Sequence, residues 1–387
     1  MKKILFILFS FFTLTLTVRA QPVTGAAQTN LYLPALNHKK VALVVNQTST
    51  IGKTHLVDSL LKSGINIQCI FAPEHGFRGD ASAGTQVNNG KDIRTGVKII
   101  SLYGNHKKPT KEDLKDIQEV IFDIQDVGVR FYTYISTMHY VMEACAENNI
   151  PFTVLDRPNP NGHYIDGPVL DTTYRSFIGM HPIPLVHGCT VGEIAKMING
   201  EGWLKNKIQC QLSVITCKGY THQTPYTLPI KPSPNLQTQS AIYLYPSLGL
   251  FEGTIVSMGQ GTAKPYQCFG MPGLGWGNFK YRPYSIAGVA EKPKFMGYEC
   301  IGFDLTWYGF ERARADAGIN LNWLLLTYKT AANKNTFFTD FFEKLAGTAQ
   351  LRQQIIAGKT ADEIKASWQP QLAKYAAMRK KYLLYTE

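Results

Sequence analysis

A chain of 387 residues with 44% hydrophobic residues is too long for one comfortable core and too apolar for a disordered polymer. Its net charge is +12, but the 40 basic residues are spread along the sequence. That distribution excludes a dedicated nucleic-acid binder and favours an anionic polymer or a carboxylated sugar as partner.

The first 20 residues read as a signal peptide, with Lys2 and Lys3 before an apolar run and a Val18-Arg19-Ala20 cleavage site. Cleavage removes three bases and no acid, so +12 becomes +9. The absence of an early Cys argues against a lipid anchor, and no later run is long and apolar enough to span a bilayer. The expected location is a periplasm or the exterior. The chain divides into a Rossmann-like domain over 21–220 and a smaller α+β domain over 221–387.

In the first domain strands and helices alternate. Strands are predicted at 41–45, 65–71, 97–103, 120–124, 151–155 and 208–217. Helices are predicted at 54–63, 111–117, 136–148 and 190–199, two of them from Thr-x-x-Asp/Glu capping boxes at Thr110 and Thr190. This βαβ rhythm predicts a doubly wound parallel sheet. Pro, Thr and Gln crowd residues 219–240 and mark a linker. Beyond it come a Gly-dense loop over 249–277, a β-like run at 298–307, and helices at 321–332, 337–346, 349–357 and 361–381. Of the seven Cys, Cys210 and Cys217 are placed to pair if their flanks form a hairpin.

Parallel strands would collect Asn46, Glu74, His75, Asp123, Asp126, Arg130, Asp156, Arg157 and Asn159 at one rim of the sheet. The sharpest signal is Ala72-Pro73-Glu74-His75-Gly76-Phe77-Arg78, where Pro and Gly stop a buried strand and present a carboxylate beside an imidazole. Each residue also has a structural reading, such as capping a turn or pairing internally. No G-x-G-x-x-G, complete P-loop or G-x-S-x-G occurs, which disfavours nucleotide cofactors and serine-hydrolase chemistry. No Cys/His spacing resembles a zinc site, so neither cofactor nor metal is expected. Tyr132, Tyr134, Tyr266, Phe269, Trp276 and Tyr281 supply flat faces suited to sugar rings, although core packing is the commoner fate of aromatics.

The ordered segments NQTS, APEHGFRGD, SLYG, FDIQDVGVRFYTYISTM, LDRPNPNG, PSPN and YPSLGLFEGT resemble the bacterial exo-β-N-acetylmuramidases. The resemblance runs from about residue 30 to the C-terminus. It implies a Rossmann-like domain, a smaller second domain, and an active site in the cleft between them. It implies removal of terminal N-acetylmuramic acid from the non-reducing end of peptidoglycan fragments, with no membrane partner after signal removal. The family's proposed catalytic glutamate falls on Glu74. One departure is Val186, which stands where the family often carries a basic residue before His187-Gly188.

The implied chemistry needs a proton donor and a second group that attacks or directs water. Glu74 is the expected acid, oriented by His75. Asp126, Glu252 and the substrate's own acetamido group remain open for the second role. Arg130 or Arg157 is expected to pair with the lactyl carboxylate, with Lys264 or Arg282 as substitutes. Asn46, Arg78, Tyr132, Tyr134, Asn159 and His187 complete the expected substrate contacts. Two other readings fit the same sequence: a periplasmic sugar- or muropeptide-binding protein without catalysis, and a metal-dependent hydrolase at the Asp-rich rim.

Overall fold

The computed structural model describes residues 21–77 and 89–387. Among them β1 (Lys40–Val45), β4 (Asn66–Ala72), β5 (Gly90–Lys91), β6 (Lys98–Ser101), β7 (Glu119–Asp123), β8 (Phe152–Leu155) and β9 (Leu212–Ile215) form one seven-stranded sheet. A two-stranded hairpin of β2 (Thr50–Ile51) and β3 (Thr54–His55) stands apart from it. The order is β5-β6-β4-β1-β7-β8-β9, and only β5 pairs antiparallel. Val41 to Val45 are wholly buried, as a strand covered on both faces requires. The chain builds outward from β1 through β4 to β6, then returns to lay β7, β8 and β9 on the other side. The reversal opens a crevice at the carboxyl ends of β1, β4 and β7, where such sheets bind ligands.

Around the sheet lie α1 (Leu33–Leu36), α2 (Leu56–Lys62), α3 (Tyr134–Glu147) and α4 (Val191–Gly200). The Thr190 capping box forms: its hydroxyl accepts from Glu193 N, and the Glu193 carboxylate accepts from Thr190 N. The helix expected at 111–117 does not form. Thr110 and Asp113 make their reciprocal bonds, but Asp116 adopts φ +62°, which stops the turn before helix can propagate. The start of α2 also differs. Thr54 joins the hairpin, and His55 caps α2 by accepting from Val57 N. Cys210 and Cys217 remain free thiols, as do the other five cysteines. The extended strand β9 separates the pair, so the hairpin that would have joined them is missing.

The second part begins with α5 (Gln239–Leu248) and a 3₁₀ turn at Gly249–Gly253. It continues with an antiparallel sheet of β10 (Cys268–Met271), β12 (Cys300–Asp304) and β11 (Phe279–Tyr281). Helices α6 (Gly309–Ala315), α7 (Asn322–Thr330), α8 (Phe342–Ala346), α9 (Gln350–Ile356) and α10 (Ala361–Arg379) complete it. One apolar cluster joins the two parts, from Phe71, Phe122 and Phe131 to Leu248, Phe251, Phe342 and Trp368. The C-terminus crosses back to the first part. Tyr385 donates to Asp156 at 2.6 Å, and Leu384 N donates to the Glu193 carboxylate at 2.9 Å. Burial pushes the Asp156 carboxyl up to about 6.

At the end of β7, Asp123 receives a forked guanidinium from Arg157, Nε to Oδ1 at 2.6 Å and Nη2 to Oδ2 at 2.9 Å. Arg157 Nη2 also donates to Thr50 O, which ties the β2–β3 hairpin to the sheet. Both charged side chains are buried, so neither has water as a substitute partner. Arg157→Met should therefore cost about 3–5 kcal/mol of unfolding free energy in a denaturant titration, because it strands the Asp123 carboxylate. A loss under about 1 kcal/mol would mean the pair contributes little.

Candidate active site

Strand β4 ends at Ala72, and Pro73 forbids its extension. His75 and Gly76 then both take positive φ, +70° and +76°, and Gly76 N donates to Pro73 O at 3.0 Å. A histidine in this region is strained, so the surrounding structure must hold the turn. Glu74 is the residue this turn presents. Its Oε1 accepts from the Tyr103 hydroxyl at 3.0 Å, and its Oε2 accepts from Thr133 Oγ1 at 3.1 Å. Tyr103 follows β6, and Thr133 precedes α3 beyond β7. Three crossovers of the sheet thus converge on one carboxylate.

The facing wall comes from the second part. Glu252 lies in the 3₁₀ turn Gly249–Gly253, and its Oε1 accepts from the Tyr266 hydroxyl at 2.6 Å. The turn is seated by close backbone approach: a Cβ on Gly253 would lie 2.4 Å from Phe342 Cα. Burial raises the Glu252 carboxyl above its ordinary range, and the charge of Glu74 raises it further; Tyr266 and Lys294 oppose the rise. Glu74 and Glu252 line one cleft of about 350 Å³, together with His75, Tyr132, Tyr134 and Tyr245. The Tyr245 phenol is pushed up by burial and then by the charges of Glu252, Glu74 and Asp126.

The sequence-predicted residues separate into two groups. Glu74, His75, Glu252, Tyr132, Tyr134 and Tyr266 line the cleft. Arg130 does not. Its guanidinium is fully buried and donates to the carbonyls of Pro168, Ile183, Leu345 and Ala346, so it joins the two parts instead of meeting a ligand. Arg157 is committed to Asp123 in the same internal way. Asn46 Oδ1 accepts from the backbone and hydroxyl of Thr48, making an Asx turn after β1. Asn159 bridges Cys189 O and Asn161 N. His187 accepts from Cys189 N, and its Nε2 lies 3.8 Å from Asp126 Oδ1. Asp126 itself accepts from Gly128 N and is buried behind the lining residues. Val186 is wholly buried between Val129 and Asp166, so its difference from the family pattern falls inside the fold.

Lys264 is paired with Asp304, and Arg282 is an exposed residue outside the cleft lining. Of the remaining aromatics, Phe269 is buried, Trp276 packs on Phe303, and Tyr281 donates to Ser257 O. Arg78 lies outside the described residues. Among the described residues no group of three or more His, Cys, Asp or Glu is arranged to hold a metal ion. Sequence reasoning missed Tyr103, Thr133, Asn235, Tyr245 and Gln260, all in the lining. Tyr103 lies just past the C-terminal end of β6, as Glu74 lies past β4, and that placement was the available signal.

The model of the exo-β-N-acetylmuramidase NamZ N-terminal domain matches residues 41–240, and the corresponding C-terminal model matches residues 243–385. The chain belongs to the NamZ family. It is 38% identical, over 92% of its length and 89% of the relative's, to the peptidoglycan β-N-acetylmuramidase NamZ of Bacillus subtilis strain 168. Two crystal structures of DUF1343 family proteins from Bacteroides fragilis share its fold. One has a TM-score of 0.89 at 47% identity, the other 0.77 at 29%, and each alignment covers 95% of this chain and all of the other. The NamZ relationship and the two-domain α/β fold agree with the resemblance in the sequence.

The raised Glu252 carboxyl has a consequence for stability. Folded protein holds this proton more tightly than unfolded chain, so the stabilisation is full below the ordinary glutamate range and is lost as pH rises through the folded value. Melting temperatures of the wild type and Glu252→Gln, measured from pH 4 to 8, should therefore diverge in one direction. The wild type should lose stability relative to the variant as pH rises. A constant difference would show that Glu252 titrates normally.

Proposed function

We propose that this protein is an exported glycoside hydrolase that releases N-acetylmuramic acid from the non-reducing end of peptidoglycan fragments. The observation that carries this reading is the pairing of Glu74 and Glu252 across one aromatic cleft, in a chain of the NamZ family. Glycoside cleavage commonly uses two carboxyl groups flanking the scissile bond. Tyr132, Tyr134, Tyr245 and Tyr266 offer faces and edges to a pyranose ring, and Phe131, Phe177 and Leu236 make an apolar margin that limits water. The signal-like residues 1–20 support export to the compartment where cell-wall fragments occur.

The two carboxyl groups differ in environment, and we allot their roles accordingly. Glu252 keeps its proton to higher pH because it is buried, which suits it to protonate the leaving oxygen. Glu74 has a hydroxyl donor on each oxygen, and we assign it to the anomeric carbon, as nucleophile or as base toward water. This moves the acid from Glu74, favoured by sequence, to Glu252. With Arg130 and Arg157 committed elsewhere, His75 is the basic side chain lining the cleft among the described residues. It is assigned to the lactyl carboxylate.

Two substrates separate these roles: an aryl β-N-acetylmuramide with a good leaving group, and a muramic-acid-terminated disaccharide. Glu74→Gln should lower turnover of both by ~100-fold or more. Glu252→Gln should lose ~100-fold on the disaccharide but little on the aryl glycoside, which needs no protonation. The reverse pattern would return the acid to Glu74, and binding without turnover by the wild type would make the protein a sugar receptor.

Selectivity gives a separate measurement. The preference for β-N-acetylmuramide over β-N-acetylglucosaminide should narrow in His75→Gln. It should stay unchanged in any folded Arg130 or Arg157 variant. A preference sensitive to either arginine and indifferent to His75 would refute that assignment.

A further inference from the structure

Next to Glu252 the backbone of residues 251–256 curls around a single ammonium. Lys294 comes from the loop between β11 and β12. Its Nζ donates to Phe251 O at 3.1 Å, Glu252 O at 3.1 Å, Thr254 O at 2.5 Å and Val256 O at 3.2 Å. Carbonyls at the end of a helical turn carry its negative dipole end, and of these four Phe251 O also accepts from Thr254 N and Thr254 Oγ1. A cation is the natural group to satisfy them. Phe251, Thr254 and Val256 are fully buried, so water does not compete for these carbonyls.

We propose that Lys294 is a positioning residue for the hydrolytic reaction, holding the 251–256 turn so that the Glu252 carboxyl is aimed into the cleft. The inference rests on Glu252 being a catalytic carboxyl, as argued above. It deepens that reading by naming what fixes it. Two anchors then act on Glu252 at different atoms. Tyr266 holds the side chain, and Lys294 holds the backbone beneath it. Gly253, pressed against Phe342, leaves the turn no room to relax on its far side.

Electrostatics agrees with this geometry. Burial lowers the Lys294 ammonium to about 8, and the Glu252 charge raises it again. The four carbonyls favour the protonated form, since an ammonium brings three N–H donors and a positive charge where a neutral amine brings two donors and no charge. Glu252 is faced by the Tyr266 hydroxyl, Lys294, Glu74 and Tyr245, with Gln260 donating to Tyr266 from behind. Among these groups Lys294 is the one that supplies positive charge. Removing it should let Glu252 hold its proton to higher pH.

The test uses Lys294→Met, Lys294→Gln and Lys294→Arg in the full-length protein, with kcat and KM measured against pH on the disaccharide. Either neutral variant should lower kcat by ~10-fold or more while KM moves less than about threefold, because a displaced acid costs the transition state and not ground-state binding. The basic limb of the kcat profile, identified as the limb that Glu252→Gln removes, should move up by roughly 0.5–1 unit. Lys294→Arg keeps the charge but not the reach, so kcat should fall while the limb stays in place.

A folded neutral variant with wild-type kcat and an unmoved limb overturns the proposal. If neither neutral variant folds, Lys294→Arg decides. Wild-type kcat in that variant overturns the proposal, and lowered kcat with an unmoved limb supports it. A wild type inactive on both substrates refutes the functional reading itself, whereas an active wild type with indifferent variants refutes only the role of Lys294.

Discussion

Two carboxyl groups facing one small cleft repel each other, and much of the site's construction answers that repulsion. In a partly desolvated pocket the cost of two adjacent charges is far higher than in water. Here each group receives its own donors. Glu74 is held by two hydroxyls, and Glu252 by one hydroxyl with an ammonium beneath its backbone. Burial and the charge of Glu74 still leave the Glu252 carboxyl raised above its ordinary range. A carboxyl raised in this way is suited to donate a proton.

The sheet topology was legible because its signals are local. Apolar runs such as Val41–Val45 and Pro151–Leu155, separated by capped helices, leave few arrangements other than a parallel doubly wound sheet. Glu74 was legible for the same reason: a strand, a proline and a glycine bracket it in one short segment. The arginines were misread because their partners are distant in sequence. Arg130 reaches Leu345 and Ala346 across more than 200 residues, and Arg157 reaches Asp123 in another strand. A guanidinium near a strand end looks the same on paper whether it meets a ligand or a carbonyl. Tyr103 and Thr133 were missed on similar grounds, since a hydroxyl has no motif of its own and acquires meaning only beside Glu74.

The second part is less readable from sequence because packing, not pattern, defines it. Helix α5 grows from the end of a segment that resembles a linker, and its Pro246 argues against helix on propensity alone. Tertiary burial overrides that preference: Ala241 to Leu248 are all buried. The same helix delivers the chain to the Glu252 turn, so a poorly patterned element sets one wall of the site.

The last few residues bond to the first part of the chain, at Asp156 after β8, Glu193 in α4 and His222 after β9. Tyr385 joins Thr190 in donating to Oδ2 of the buried Asp156, and Thr386 O accepts from His222 N. A chain synthesised or threaded through a pore from its N-terminus therefore makes these bonds only when its final residues emerge. The order of folding is closed from the far end, and the terminus acts as a latch whose arrival completes the molecule. A tag or extension fused at Glu387 would begin beside residues of the first part, although sequence distance suggests the opposite.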